Sequence, residues 1–174
     1  MISSQAAMES FFRPHRLYAV AGASADPTKF GNKILAWYLH RQLPVAGINP
    51  KSPTILEQPT YSSLDSVYSQ VFEKSSTDSD KFSSIAISVV TPPKASLALV
   101  EHIGQTPALR KAVRAMWFQP GTFDDATLDA AQNAGIKTII AHDRCVLVQG
   151  QESLDAARRS SAWSEESSSP ETKL

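Results

Sequence analysis

Short apolar runs alternate along the chain with stretches whose apolar positions recur every three or four residues, a pattern that predicts repeated strand–helix units. The first strand reads Leu17-Tyr18-Ala19-Val20-Ala21. A loop follows from Gly22 to about Phe30. Ile34, Leu35, Trp37, Tyr38 and Leu39 then fall on a helix that ends near Gln42. Pro44-Val45-Ala46-Gly47-Ile48 is the second strand, and Asn49-Pro50 closes it. Residues 54–64 read as loop with one short extended piece, and residues 64–72 as a weak helix. Residues 73–81, rich in Ser and Asp and without periodicity, read as an exposed loop. Residues 84–90 form the most continuous apolar strand. Thr91-Pro92-Pro93 stops it and starts a helix through Leu97, Leu99, Val100 and Ile103, proline being tolerated in a first turn. Residues 112–118 are a strand ending in Gln119-Pro120-Gly121. Residues 124–133 are a helix with Gly135 as its C-terminal cap, and residues 137–141 a fifth strand. Residues 145–148 read as a further extended piece, and residues 152–159 as a last helix.

Five such steps with right-handed crossovers give an α/β fold: one doubly wound, mainly parallel sheet of five to six strands with helices on both faces, over residues 1–159. Residues 160–174, dominated by Ser and Glu, are expected to form a disordered tail.

Composition narrows the function classes. Hydrophobic residues are 42% of the 174, enough for one core. Lys and Arg number 17, as do Asp and Glu, so the net charge is zero and gives no electrostatic case for nucleic acid or an anionic membrane. The single Cys145 excludes an intrachain disulfide framework. No apolar run is long enough to span a bilayer. Phe11, Phe12, Arg13, His15 and Arg16 make a mildly basic, aromatic patch near the start, but Glu9 and a strand beginning just after Arg16 oppose a mitochondrial presequence. A cytoplasmic location is the expectation.

Four polar punctuations follow strands: Gly22-Ala23-Ser24, Asn49-Pro50-Lys51, Thr91-Pro92-Pro93 and Gln119-Pro120-Gly121. In a doubly wound sheet all four gather on the ligand-binding edge. Gly22 permits either a plain tight turn or a close backbone approach to a phosphate, with the N-terminus of the next helix aimed at the anion. Ser24 adds a hydroxyl. Lys29, Gly31 and Lys33, near the helix start, add positive charge and room. The dinucleotide fingerprint is absent, because Ala23-Ser24 follows Gly22 and the next glycine is Gly31. Lys51 stands where an NAD site carries an acidic residue, which disfavours NAD and suits NADP or coenzyme A. Thr91-Pro92-Pro93 either ends a strand or makes a stiff ledge for an adenine or a pantetheine arm.

No catalytic set emerges: there is no P-loop, zinc spacing or nucleophile elbow, and His15, His40, His102 and His142 are scattered. A non-catalytic role is the expectation. Cys145 beside Arg144 reads either as a reactive thiol or as a small buried residue.

The ordered pieces Val20-Ala21-Gly22-Ala23-Ser24, Lys29-Phe30-Gly31-Asn32-Lys33, Ile48-Asn49-Pro50-Lys51, Pro59-Thr60-Tyr61-Ser62-Ser63-Leu64, Val89-Val90-Thr91-Pro92-Pro93, Trp117-Phe118-Gln119-Pro120-Gly121 and Asp143-Arg144-Cys145 resemble the small stand-alone CoA-binding domain proteins. Their Rossmann fold is similar to the CoA-binding domain of the succinyl-CoA synthetase alpha subunit. The resemblance implies that Gly22, Ala23 and Ser24 contact the phosphates of coenzyme A or an acyl-CoA. It places Asn49, Pro50 and Lys51 beside the adenosine, and Val90, Thr91 and Pro92 along the adenine or pantetheine arm. It stops at this one domain, since the ligase needs a further domain and a second subunit. The implied function is a binding or sensor module for a small nucleotide ligand. An NADP-dependent oxidoreductase is the alternative.

Overall fold

In the computed structural model, which describes residues 4–75 and 81–168, β1 (Arg16–Ala21) lies at the centre of a seven-stranded sheet. It pairs in parallel with β2 (Val45–Ile48) on one side and β5 (Ser84–Val89) on the other. Beyond β2 come β4 (Gln58–Tyr61) and β3 (Thr54–Ile55); beyond β5 come β6 (Val113–Phe118) and β7 (Thr138–Ile140). Every pairing is parallel except that of β3 with β4. The strand count exceeds the expected five to six because residues 54–61 form a complete hairpin.

Both central strands are buried at every position, which is why they appear in the sequence as unbroken apolar runs. Their side chains alternate between two cores. Leu17, Ala19, Ile85 and Ile87 meet α3 (Leu64–Val67), α4 (Pro93–Gln105), α5 (Pro107–Ala112) and α6 (Asp125–Asn133). Tyr18, Val20, Ala86 and Trp117 face α1 (Gln5–Phe11), α2 (Phe30–His40) and α7 (Val146–Arg159). A register shift between Ile85 and Ala86 sends Val113 to the first core and Ala115 to the second.

The N-terminal aromatic patch belongs to the second core. Ser4 caps α1 by accepting from the Ala7 N–H at 3.0 Å. Phe11 and Phe12 pack edge-on at 5.2 Å, and Phe11 meets Trp117 at 5.4 Å. Buried Arg16 donates to the carbonyls of Ser10 at 2.9 Å and Phe11 at 2.8 Å, and to Ser84 Oγ at 2.9 Å. It satisfies the end of α1 and ties that helix to the sheet. Tyr18 stacks on Tyr38, whose hydroxyl meets Ser88 Oγ at 2.7 Å; burial pushes the Tyr18 phenol up to about 12.

Two readings need correction. Residues 145–148 are not extended: Cys145 is the N-cap of α7 and its N–H donates to Gln149 Oε1 at 2.7 Å. An apolar run with two valines there resembles a strand, but the Gln149 cap and the packing of Val146 override that propensity. The tail is helical over α8 (Ser161–Ser168), with Trp163 against the second core; residues 169–174 of that expectation lie outside the described residues. The helix expected over residues 64–72 is present, as α3 followed by a π-helical turn (Tyr68–Phe72). Within the loop expected at 73–81, residues 76–80 likewise lie outside the described residues. Gly135 has φ +80 after α6, as a helix-ending residue requires. No helix among the described residues is long and apolar enough to cross a membrane.

The β3–β4 turn is strained. Leu56 (φ 52) and Glu57 (φ 62) both sit in the left-handed region, in a two-residue turn that normally carries Asn-Gly. The double change Leu56→Asn, Glu57→Gly is expected to stabilise the protein by about 1–2 kcal/mol. Denaturant unfolding checks this, and an unchanged midpoint would show that the turn stores no strain.

Candidate functional site

The parallel strands follow the order β4-β2-β1-β5-β6-β7, so the connections leave in opposite directions on either side of the β1–β5 boundary. At the carboxyl ends of these two strands a crevice must open. It is a cleft of ≈ 660 Å³. Ten residues expected from the sequence line it: Gly22, Ala23, Ser24, Lys29, Asn49, Pro50, Lys51, Val90, Thr91 and Pro92.

Two expected residues stand elsewhere. Gly31 is buried in the first turn of α2, under the loop, where a Cβ would run into the Gly22 carbonyl oxygen. It shapes the loop from beneath. Lys33 is exposed on α2, with its Nζ 5.7 Å from the centre of the Phe30 ring, outside the cleft lining. Gly31, two residues after the Lys29 N-cap, falls on the other side of the first turn, and Lys33 stands a full turn farther along α2, away from the loop.

Gly22 has φ +92, and a Cβ there would come within 3.1 Å of the Val90 carbonyl carbon and the Thr91 nitrogen. Only glycine lets the loop cross the end of β5 this closely. Several side chains then hold the loop. Asn49 donates from Nδ2 to the Ala23 carbonyl at 2.9 Å, and its Oδ1 accepts from the N–H groups of Lys51 at 2.7 Å and Ser52 at 3.0 Å. Asn32 donates to the Ser24 carbonyl at 3.0 Å. Asn49 is therefore a strut between the first loop and the end of β2. Ser24 Oγ accepts from the Asp26 N–H at 3.1 Å and keeps its own proton to donate.

The electrostatics favour an anion. Lys29 and Lys51 both border the cleft. No side chain caps α2, and its first turn holds no acidic residue, so the positive end of its dipole is left without a capping carboxylate. The carboxylate in the loop, Asp26, is turned onto Thr28, accepting from its hydroxyl at 2.7 Å and its N–H at 2.9 Å. Those hydrogen bonds hold its pKa below the usual carboxylate value.

The opposite wall brings in Ser63, Leu64, Asp65, Leu99 and His102, which the pattern of loops did not single out as lining residues. Ser63 caps α3, accepting from the Ser66 N–H at 3.2 Å. His102 Nε2 on α4 meets Asp65 Oδ2 on α3 at 2.8 Å. Their pairing depends on two helices meeting in space, and only the Ser63 cap had a sequence signal.

Val90, Thr91 and Pro92 also border a second cleft of ≈ 570 Å³, with Phe30, Pro93, Gln119, Pro120, Gly121, Thr122, Cys145 and Val148. The Thr91-Pro92-Pro93 segment is thus a ridge between two hollows. The Thr91 and Ser96 hydroxyls meet at 2.8 Å and fix its shape. Trp117 is wholly buried and donates from its indole N–H to the Arg144 carbonyl at 2.9 Å, so it is core.

The same architecture occurs in solved structures of small proteins. A conserved hypothetical protein from Pyrococcus furiosus is 26% identical, with a TM-score of 0.57, covering 79% of this chain and 99% of its own. A hypothetical protein from Pyrococcus horikoshii OT3 is 22% identical, with a TM-score of 0.64 and coverage of 87% and 92%. A Thermus thermophilus protein is 21% identical, with a TM-score of 0.61 and coverage of 85% and 95%. No protein of curated function matches. A family profile described as CoA binding domain matches residues 16–151, from the first residue of β1 into α7 and so across every loop of the cleft. The chain belongs to the CoA-binding domain family.

Proposed function

We propose that this protein binds coenzyme A or an acyl-CoA, with the phosphates on the Gly22–Ser24 loop, and acts as a binding or sensor module without turnover. The observation that carries the reading is the loop itself. Gly22 and Gly31 let it fold tightly over the uncapped start of α2, between two lysines. Such a loop suits a diphosphate. Asn49, Pro50 and Lys51 then stand at the adenosine end, where the lysine matches a ribose phosphate. The Val90-Thr91-Pro92 ridge supports the adenine or the arm.

Isothermal titration with coenzyme A, and with NADP and NAD in parallel, tests the reading. Selective binding of coenzyme A is expected. Selective binding of NADP would overturn it, because Lys51 serves a 2′-phosphate equally well. Ser24→Ala should weaken coenzyme A binding by about 0.5–1.5 kcal/mol, one neutral hydrogen bond. Gly22→Val should abolish it, since a branched side chain meets the β5 terminus and strains a positive φ. Wild-type affinity in Gly22→Val would place the ligand elsewhere.

A further inference from the structure

Among the described residues, three large hydrophobic side chains are markedly exposed: Val148 at 74%, Phe30 at 60% and Leu56 at 41%. Leu56 is explained by its turn. The other two start different helices, α7 and α2, and both border the second cleft. Neither contributes to a core. Their exposure beside one hollow points to an apolar occupant.

The hollow is chemically apolar even where its lining is nominally polar. The Thr122 hydroxyl donates to the Gln119 carbonyl at 2.7 Å. Gln119 Oε1 accepts from the Val146 N–H at 3.0 Å. The Thr91 hydroxyl is engaged with Ser96. Prolines 92, 93 and 120 offer no N–H. None of the described lining residues is Asp, Glu, Lys, Arg or His. At ≈ 570 Å³ the space is ligand-sized. It joins the nucleotide cleft along the Val90-Thr91-Pro92 ridge, so a ligand can lie across both.

We infer that the second cleft receives the acyl chain of an acyl-CoA, and that the ligand class is thioesters of uncharged aliphatic acids. The inference rests on the coenzyme A reading of the first cleft and adds the identity of the group beyond the arm. A carboxylate-bearing acyl group has no cation to meet there, and its desolvation is unrewarded.

The test titrates the full chain with coenzyme A and with acetyl-, butanoyl-, hexanoyl- and succinyl-CoA. Affinity is expected to rise about fourfold for each methylene buried. Hexanoyl-CoA should bind at least about tenfold more tightly than acetyl-CoA, and butanoyl-CoA about tenfold more tightly than succinyl-CoA. Val148→Asp, at an exposed position on the rim, should leave coenzyme A affinity within about twofold and remove the dependence on chain length. Equal affinities across the series, with coenzyme A itself bound, would overturn the acyl inference and leave the coenzyme A reading intact. No binding of any member would overturn both. A flat series together with self-association that Val148→Asp abolishes would assign the face to a second copy and overturn the inference.

Discussion

Gly31→Ala should reduce affinity for coenzyme A by about a hundredfold or more, although Gly31 itself does not line the cleft. Its single added methyl would collide with the Gly22 carbonyl oxygen, and 3.1 Å away it would also press the Ser24 nitrogen. Both atoms are backbone, so no side chain can rotate aside. Either the phosphate loop lifts from α2 or the first turn of α2 unwinds. Either movement misaims the N–H groups and costs about two charge-assisted hydrogen bonds of at least about 1.5 kcal/mol each, which is that hundredfold. Overpacking should lower stability by about 3 kcal/mol as well. Titration at a temperature where the variant remains folded separates the two effects. Lys33→Ala, two residues along the same helix, is the control: it lies outside the cleft and should shift affinity less than about threefold. Near-wild-type binding by Gly31→Ala would mean that the loop takes no part.

Removal of residues 1–12 should abolish cooperative folding. This segment precedes the family match, which begins at Arg16, yet Ala7, Met8, Phe11 and Phe12 are each at most 2% exposed. Truncating a buried Phe costs about 3–5 kcal/mol, so the two rings together rival the entire stability of an ordinary domain. The deletion also strips Arg16 of two of its three acceptors, leaving a buried guanidinium held by Ser84 alone. Circular dichroism should show no sharp thermal transition for the truncated chain, while Phe11→Ala and Phe12→Ala each remain folded but weakened by about 3–5 kcal/mol. A truncated chain melting within about 2 kcal/mol of the parent would make α1 an appendage.

The sheet was legible in the sequence for a specific reason. Strands such as Ser84–Val89, buried on both faces, appear as continuous apolar runs that little else produces. The pieces that escaped lack such a mark. Helix α1 has seven residues, and its Phe11-Phe12 pair followed by Arg13 resembles a basic aromatic patch until Trp117 is seen behind it. The β3–β4 hairpin turns on Leu56-Glu57, where pattern reading looks for Asn-Gly. Helix α5 follows α4 after only Thr106, and nothing local separates that turn from the strand beyond. At the site, the loops after β1, β2 and β5 were readable because topology alone brings strand ends together. Asp65 and His102 were not, since their 2.8 Å contact depends on how α3 packs beside α4. Lys33 was misplaced because it stands one turn into α2, beyond the loop that Lys29 closes, and the sequence does not show how far the cleft reaches along the helix.

The two cores differ in a way that matters to anyone watching the molecule in a fluorimeter. All three tryptophans, Trp37, Trp117 and Trp163, sit in or against the core beneath α1, α2 and α7. The core beneath α3, α4, α5 and α6 contains none, though Tyr61 and Tyr68 border it. Light absorbed selectively by indole therefore illuminates one side of the sheet. Loosening of the other layer, including the wall that carries Asp65 and His102, would pass unseen in emission while amide exchange recorded it.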